Sequence, residues 1–252
     1  MKLFEEIKMA GQLEDFSPRK TARIAGMFYL IFIATTIFAS YVRSRIIVSG
    51  DAVTTANNIM SSQGLFRIGF MSELLSALFF LLAAWALYVL LRPVNRHLAL
   101  LFLLLNLAGV IVESANMLNM FTPMVLLSGS NYLNPLQSGQ LQALSLAFLN
   151  SYTNGFMIAQ IFYGTWLLPL GYLLYKSGMV PRIIGVLVII DFFGDLSWFI
   201  QFFLFPGYGI FSYPGNAIGF IAEFSLSLWL LFMGVKEQKP SSVGVGLRQQ
   251  TG

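Results

Sequence analysis

Residues 181–204 read PRIIGVLVIIDFFGDLSWFIQFFL. A hydrocarbon core of about 30 Å needs a helix of about 20 mainly apolar residues, and this run supplies one. Arg182 stands at its start, where a basic residue marks the cytoplasmic flank of a span. Asp191 and Asp195 lie inside it. Four residues apart, they share one helical face, and Gly194 beside them permits a close neighbour. An apolar helix with carboxylates inside it is a membrane span that turns an acidic face toward other protein.

Five further runs of the same kind lead outward from this one. Together the spans fall at roughly 21–42, 67–91, 97–120, 150–176, 181–204 and 216–235, and Pro- and Gly-bearing breakers such as Arg92 to Arg96 and Pro206 to Gly215 divide them. The 252 residues are 57% hydrophobic and 10% charged, against about 25% charged in soluble domains. Mean hydropathy is +0.73. These values exclude a disordered chain and argue against a soluble enzyme. The fold class is all-α: a polytopic membrane helical bundle with six transmembrane helices. Residues 1–20 read as a cytoplasmic N-terminal segment, with a short amphipathic helix over Met1 to Phe16. Residues 21–236 form the six-span domain, and 237–252 a disordered cytoplasmic tail.

Basic residues set the orientation. Twelve of the fifteen fall on the face that holds both termini, and only Arg43, Arg45 and Arg67 fall on the other. That bias predicts both termini in the cytoplasm and a plasma (inner) membrane location. The mixed-charge start is not a signal peptide, and the first span reads as an uncleaved anchor. The pI near 9.4 follows from the same flanking residues, so no nucleic-acid partner is expected. Membrane lipids and an unidentified small molecule or cation are the expected partners. The absence of cysteine and the presence of a single histidine, His97, remove disulfides, thiolate or multi-histidine metal sites, bis-histidine haem and cysteine nucleophiles. No cofactor and no metal site is expected.

The even spans begin alike. Gly69-Phe70-Met71-Ser72-Glu73, Gly155-Phe156-Met157-Ile158-Ala159-Gln160 and Gly219-Phe220-Ile221-Ala222-Glu223 suggest three hairpin repeats. They would bring Glu73, Gln160 and Glu223 to related positions, as in carriers built from repeats. Two outer loops, 43–66 with a short helix near Ala52 to Ser62, and 121–149, are long enough to form a lid.

Five acids lie within spans: Glu73, Glu113, Asp191, Asp195 and Glu223. Each would cost about 2.5–3.5 kcal/mol at the centre of a span facing lipid, so they face the bundle interior. At about 1.5 Å per residue most fall about 20–28 Å from the cytoplasmic flank, in the outer half of the bilayer. Asn116, Asn154 and Gln160 are amides at similar depth. No lysine or arginine lies in a span core, and Arg67 is the nearest basic candidate. The eight residues Glu73, Glu113, Asn116, Asn154, Gln160, Asp191, Asp195 and Glu223 are therefore the candidate lining of one outward-opening cavity. Its acids would be protonated in part, bonded to amides, or paired with a bound cation. Pro169 is expected to kink the fourth span. Tyr41, Tyr88, Tyr172 and Tyr175 fit an interfacial belt.

Several strings carry a resemblance: Thr21-Ala22-Arg23-Ile24-Ala25-Gly26, Leu91-Arg92-Pro93-Val94-Asn95-Arg96, Gln140-Leu141-Gln142-Ala143-Leu144, Trp166-Leu167-Leu168-Pro169-Leu170-Gly171-Tyr172 and Pro181-Arg182-Ile183-Ile184-Gly185. From about residue 18 to 236 the chain resembles the prokaryotic membrane family catalogued as domain of unknown function 4386. The resemblance implies a six-span membrane protein and supplies no catalytic residues.

The expected function is binding or transport of a small molecule, lipid or cation with proton linkage. Two readings of other classes stand beside this possible transporter. One is an intramembrane acid–base enzyme acting on a lipid or isoprenoid, with Asp191, Asp195, Glu113 and Glu223 as candidates. The other is a non-catalytic binding, sensing or assembly protein. The sequence leaves the enzyme question open, although the absence of a His–carboxylate, Ser–His or metal–His arrangement counts against an enzyme.

Overall fold

The structure, a computed structural model, describes residues 17–235. The amphipathic helix expected before Phe16 and the tail expected after Glu237 lie outside the described residues. Seven α-helices follow one another: α1 (Pro18–Ile46), α2 (Ala52–Ser61), α3 (Gln63–Leu91), α4 (Arg96–Leu126), α5 (Ser138–Ser177), α6 (Arg182–Leu204) and α7 (Tyr213–Leu228). Short 3₁₀ turns cover Asn131–Leu133 and Pro206–Ser212, and α7 runs into a π-helical turn at Trp229–Met233. All but α2 are long and apolar enough to cross a bilayer, α7 together with the turn that extends it to Met233. Their outward faces and the turn after α7 carry side chains such as Leu118 (72% exposed), Ile183 (61%) and Phe232 (67%), an apolar exterior of the kind that meets lipid.

The helix boundaries follow from local chemistry. Ser17 caps α1 by accepting a hydrogen bond from the Lys20 amide at 3.3 Å, with Pro18 in the first turn. Asn95 caps α4 through the Leu98 amide at 3.1 Å. Gln137 and Gln140 form a reciprocal capping box at the start of α5. Each satisfies amides that the first turn leaves without partners. Gly178 ends α5 at φ +63°, a left-handed conformation that glycine adopts without a Cβ clash.

Two expectations are corrected here. The segment 121–149 is not a long outer loop. Helix α4 continues to Leu126 and α5 begins at Ser138, so the apolar stretch Leu141 to Leu149 belongs to the fourth span. At 40 residues and ~1.5 Å per residue, α5 stands well proud of a bilayer. The first span is likewise longer than expected, reaching Ile46, which leaves Arg43 and Arg45 inside the helix. Their charge complements the helix C-terminus. Pro169 is buried within α5. The short helix near Ala52 to Ser62 is present as α2, and His97 is exposed.

The six long helices pack in sequence order around a ring, α1 on α3, α3 on α4, α4 on α5, α5 on α6, α6 on α7, and α7 back on α1. Gly234 lies against the Arg19 side chain, so the two described ends meet at one end of the bundle, called proximal below. The proximal half is a solid apolar core that includes Ala22, Ala25, Ala83, Leu87, Leu91, Phe102, Leu170 and Leu174. Hydrophobicity gives helices in lipid little reason to associate. Close packing, small residues and interhelical hydrogen bonds take its place. Gly26 meets the α7 backbone at Ser227 and the following turn at Leu231, Gly171 meets Gly185, and Gly194 meets Gly215. A second core, with Val42, Ile59, Phe66, Met120 and Leu149, seats α2 over the distal end beside α1, α3 and α5.

Candidate functional site

A cavity of about 380 Å³ opens inside the distal half of the ring. Every long helix supplies part of its wall at helical spacing. Helix α1 gives Phe32, Thr36, Ser40 and Arg43. Helix α3 gives Glu73, Ser76, Ala77 and Phe80, and α4 gives Glu113. Helix α5 gives Phe156, Gln160, Tyr163 and Trp166, α6 gives Asp191, Asp195 and Trp198, and α7 gives Asn216, Gly219, Phe220 and Glu223. Phe80 forms the floor, stacked on Phe32 with centroids 4.2 Å apart and edge-on to Trp166 at 5.0 Å. Below it the proximal core closes the bundle.

Six of the eight candidate residues line this cavity: Glu73, Glu113, Gln160, Asp191, Asp195 and Glu223. Two do not. Asn154 lies on the exposed face of α5. Asn116 is buried but committed elsewhere: its amide donates to the Tyr152 carbonyl at 2.8 Å and accepts from Asn119 at 2.9 Å. Gly155 makes the space for it. The amides counted at the right depth, but depth along a helix does not fix the direction in which a side chain points.

Each of the three glutamates among the described residues has a tyrosine. Tyr29 donates to Glu223 at 2.8 Å, Tyr163 donates to Glu113 at 2.6 Å, and Tyr152 donates to Glu73. Glu73 also forms an ion pair with Arg43. The same guanidinium donates to Ser40 Oγ at 2.9 Å and lies over the Tyr152 ring at 5.6 Å. Arg43, not Arg67, is therefore the basic partner inside the bundle, and Arg67 is exposed. Because α1 runs three residues beyond Arg43, its side chain reaches across to α3 rather than into an outer loop. Sequence reasoning missed these tyrosines. Tyr163 lies in mid-span, far from any interface, and that position alone marked it as something other than a belt residue. Of the expected belt, Tyr41, Tyr172 and Tyr175 are exposed.

The aspartates differ. Asp191 is 2% exposed, and neither Asp191 nor Asp195 has a hydrogen-bond or ion-pair partner among the described residues. Asp191 packs on Gly219 and Asp195 on Gly164, where a methyl group would press on the side chain. Asp191, Asp195 and Glu223 are close enough to repel one another when ionised. No group of three acidic or histidine side chains among the described residues is arranged to hold a metal ion. The glycines that open the three alike segments share a packing role. Gly69 faces Val42, Gly155 faces Asn116 and Gly219 faces Asp191, each on the preceding long helix of its hairpin, and Glu73, Gln160 and Glu223 all reach the cavity.

A family model described as a domain of unknown function (DUF4386) matches residues 24–234. No curated protein matches the chain, and no solved structure does.

Proposed function

The chain belongs to the DUF4386 family of multi-pass membrane proteins, a description that carries no activity, and from the cavity itself we propose that it binds a small cationic molecule in exchange for protons and carries it. The observation that supports this reading is the wall formed by Asp191, Asp195 and Glu223. Among the described residues three carboxyl groups share it, Tyr29 is their one hydroxyl donor, and the one arginine lining the cavity is already engaged with Glu73. In a water-poor interior their charge must be cancelled by protons or by a bound cation. A cation arriving there displaces protons, which is the coupling a carrier needs. The aromatic faces of Phe32, Phe156, Trp198 and Phe220 favour an organic cation, which a ring attracts by about 0.5–2 kcal/mol. The basic bias supports a proximal end in the cytoplasm, which would put the cavity in the outer half of the plasma membrane.

The test is proton release. Tetramethylammonium is added to the protein in zwitterionic nanodiscs in weakly buffered solution, and pH and bound cation are followed together. Saturable binding with proton release is expected, and the Asp191→Asn, Asp195→Asn double variant should lose both while keeping the parent's thermal stability. Binding and release that survive in the double variant, or no binding by the parent, would overturn the proposal.

A further inference from the structure

Five of the six seams between neighbouring helices are closed in the distal half by named contacts. Arg43 joins α1 to α3 through Glu73. Phe70 meets Phe121 between α3 and α4, and Phe156 meets Trp198 between α5 and α6. Asn116 binds the Tyr152 backbone between α4 and α5, and Gly194 abuts Gly215 between α6 and α7.

The seam between α1 and α7 is different. Its named contacts lie toward the proximal end: Arg19 on Gly234, Gly26 on Ser227 and Leu231, then Tyr29 on Glu223. Distal to that hydrogen bond, the facing rows Phe32, Thr36, Ser40 and Asn216, Gly219, Phe220 line the cavity. Two of these residues are outer surface as well, since Ser40 is exposed and Phe220 is 50% exposed. Thr36 lines the cavity, and its hydroxyl oxygen is buried without a hydrogen-bond partner among the described residues. The side chains flanking the gap outside, Ile37 (54% exposed) and Ile221 (57%), are of the kind that meet lipid. Thr36 lies seven residues proximal to Arg43, about 10 Å deeper at ~1.5 Å per residue. The gap therefore faces hydrocarbon rather than water.

We infer that the α1–α7 seam is a lateral portal from the bilayer, and that the ligand is an amphiphile with a cationic amine head and an apolar tail. The inference rests on the cation-binding reading above and names the class of cation. The head sits against Asp191, Asp195 and Glu223, and the tail lies out through the seam between Phe32 and Phe220. Volume agrees with this division. A cavity of about 380 Å³ is at the small end of the range of about 300–1,000 Å³ that encloses a drug-sized molecule, so it takes a head and leaves a long tail outside. An amphiphile already in the membrane reaches the carboxylates without crossing the ring of sealed helices.

The experiment compares two probes with one head chemistry, tetramethylammonium and dodecyltrimethylammonium, with dodecyl sulfonate as the anionic control. Binding to the protein in nanodiscs is referred to the probe's concentration in the phase it occupies, with protein-free discs subtracted. The portal is sealed by cross-linking Thr36→Cys to Phe220→Cys with a short bis-maleimide, in a chain that has no other cysteine, and the uncross-linked pair is the reference. Thr36→Phe, which plugs the seam from one side, repeats the test without chemistry and covers the case in which the pair fails to fold. The expected result is dodecyltrimethylammonium binding at least tenfold tighter than tetramethylammonium, with sealing or plugging removing that tenfold and dodecyl sulfonate not binding. If tetramethylammonium binds and neither tail nor sealing changes anything, the cation site stands and the portal is refuted. If dodecyl sulfonate binds as well as the ammonium, the amine specificity is refuted. If neither ammonium binds the parent, the cation-binding reading itself has failed, and the portal's ligand with it.

Discussion

Arg43→Gln should destabilise the bundle far more than Glu73→Gln, and the difference follows from where each charge is left. Glu73 is 5% exposed by side chain and Arg43 22%. Without Arg43, a carboxylate is stranded inside the distal half with the Tyr152 hydroxyl as its remaining side-chain partner, and breaking a buried pair from that side costs about 3–5 kcal/mol. The lower end, about 3 kcal/mol, applies because Tyr152 stays. Without the acid, the arginine still holds Ser40 and turns its partly exposed head toward the surface, and an amide at 73 still accepts from Tyr152, for a cost of about 1 kcal/mol. The double Gln variant strands no charge and should cost about 1 kcal/mol as well, which makes the coupling about 3 kcal/mol. Reversible unfolding in bicelles or mixed micelles, read on all four proteins of the cycle, measures that coupling. Single variants whose effects add to the double within about 0.5 kcal/mol would show that the pair is not held as described.

Tyr163→Phe should lower stability by about 1–3 kcal/mol by leaving Glu113 without its hydroxyl donor. Tyr172→Phe, on an exposed ring, should leave unfolding unchanged, and equal effects would contradict the assignment. The Thr54 hydroxyl, donating at 2.6 Å with its amide at 2.9 Å, holds the Asp51 carboxyl below the usual carboxylate range. A depressed folded-state value means that the cap's contribution is complete above the unfolded value of about 3.9 and is lost as pH falls through the folded one. Hydrogen exchange of the first-turn amides of α2, corrected for intrinsic rates, should lose protection on acidification below about pH 4, and Asp51→Asn should flatten that profile. A parent profile without the acid loss would refute this account. Cysteines at 131 and 97, both exposed positions, test orientation: an impermeant maleimide added to whole cells should label Asn131→Cys and spare His97→Cys, and the reverse would put the cavity in the inner half.

The sequence by itself determined the membrane class, the number of spans and the set of acids that must face inward. Those follow from energies that act residue by residue: transfer into hydrocarbon, the length of a helix against the thickness of a bilayer, and the cost of a charge among lipid tails. Tertiary structure decided what rotation about a helix axis decides. Asn154 and Gln160 looked alike in depth, yet one is exposed and the other lines the cavity, because six residues along a helix turn a side chain well away from its former direction. The pairing of Glu73, Glu113 and Glu223 each with a tyrosine from a different helix joins residues as far apart as Tyr29 and Glu223, and periodicity carries no term for such distances. Helix ends also escaped the sequence. The distal core continues α4 to Leu126 and starts α5 at Ser138, so many of the residues that read as an outer lid belong to two packed helices. The seam between α1 and α7 is a property of the closed ring alone, since it exists only where the last helix returns to the first and meets it through the proximal contacts of Gly26 and Tyr29.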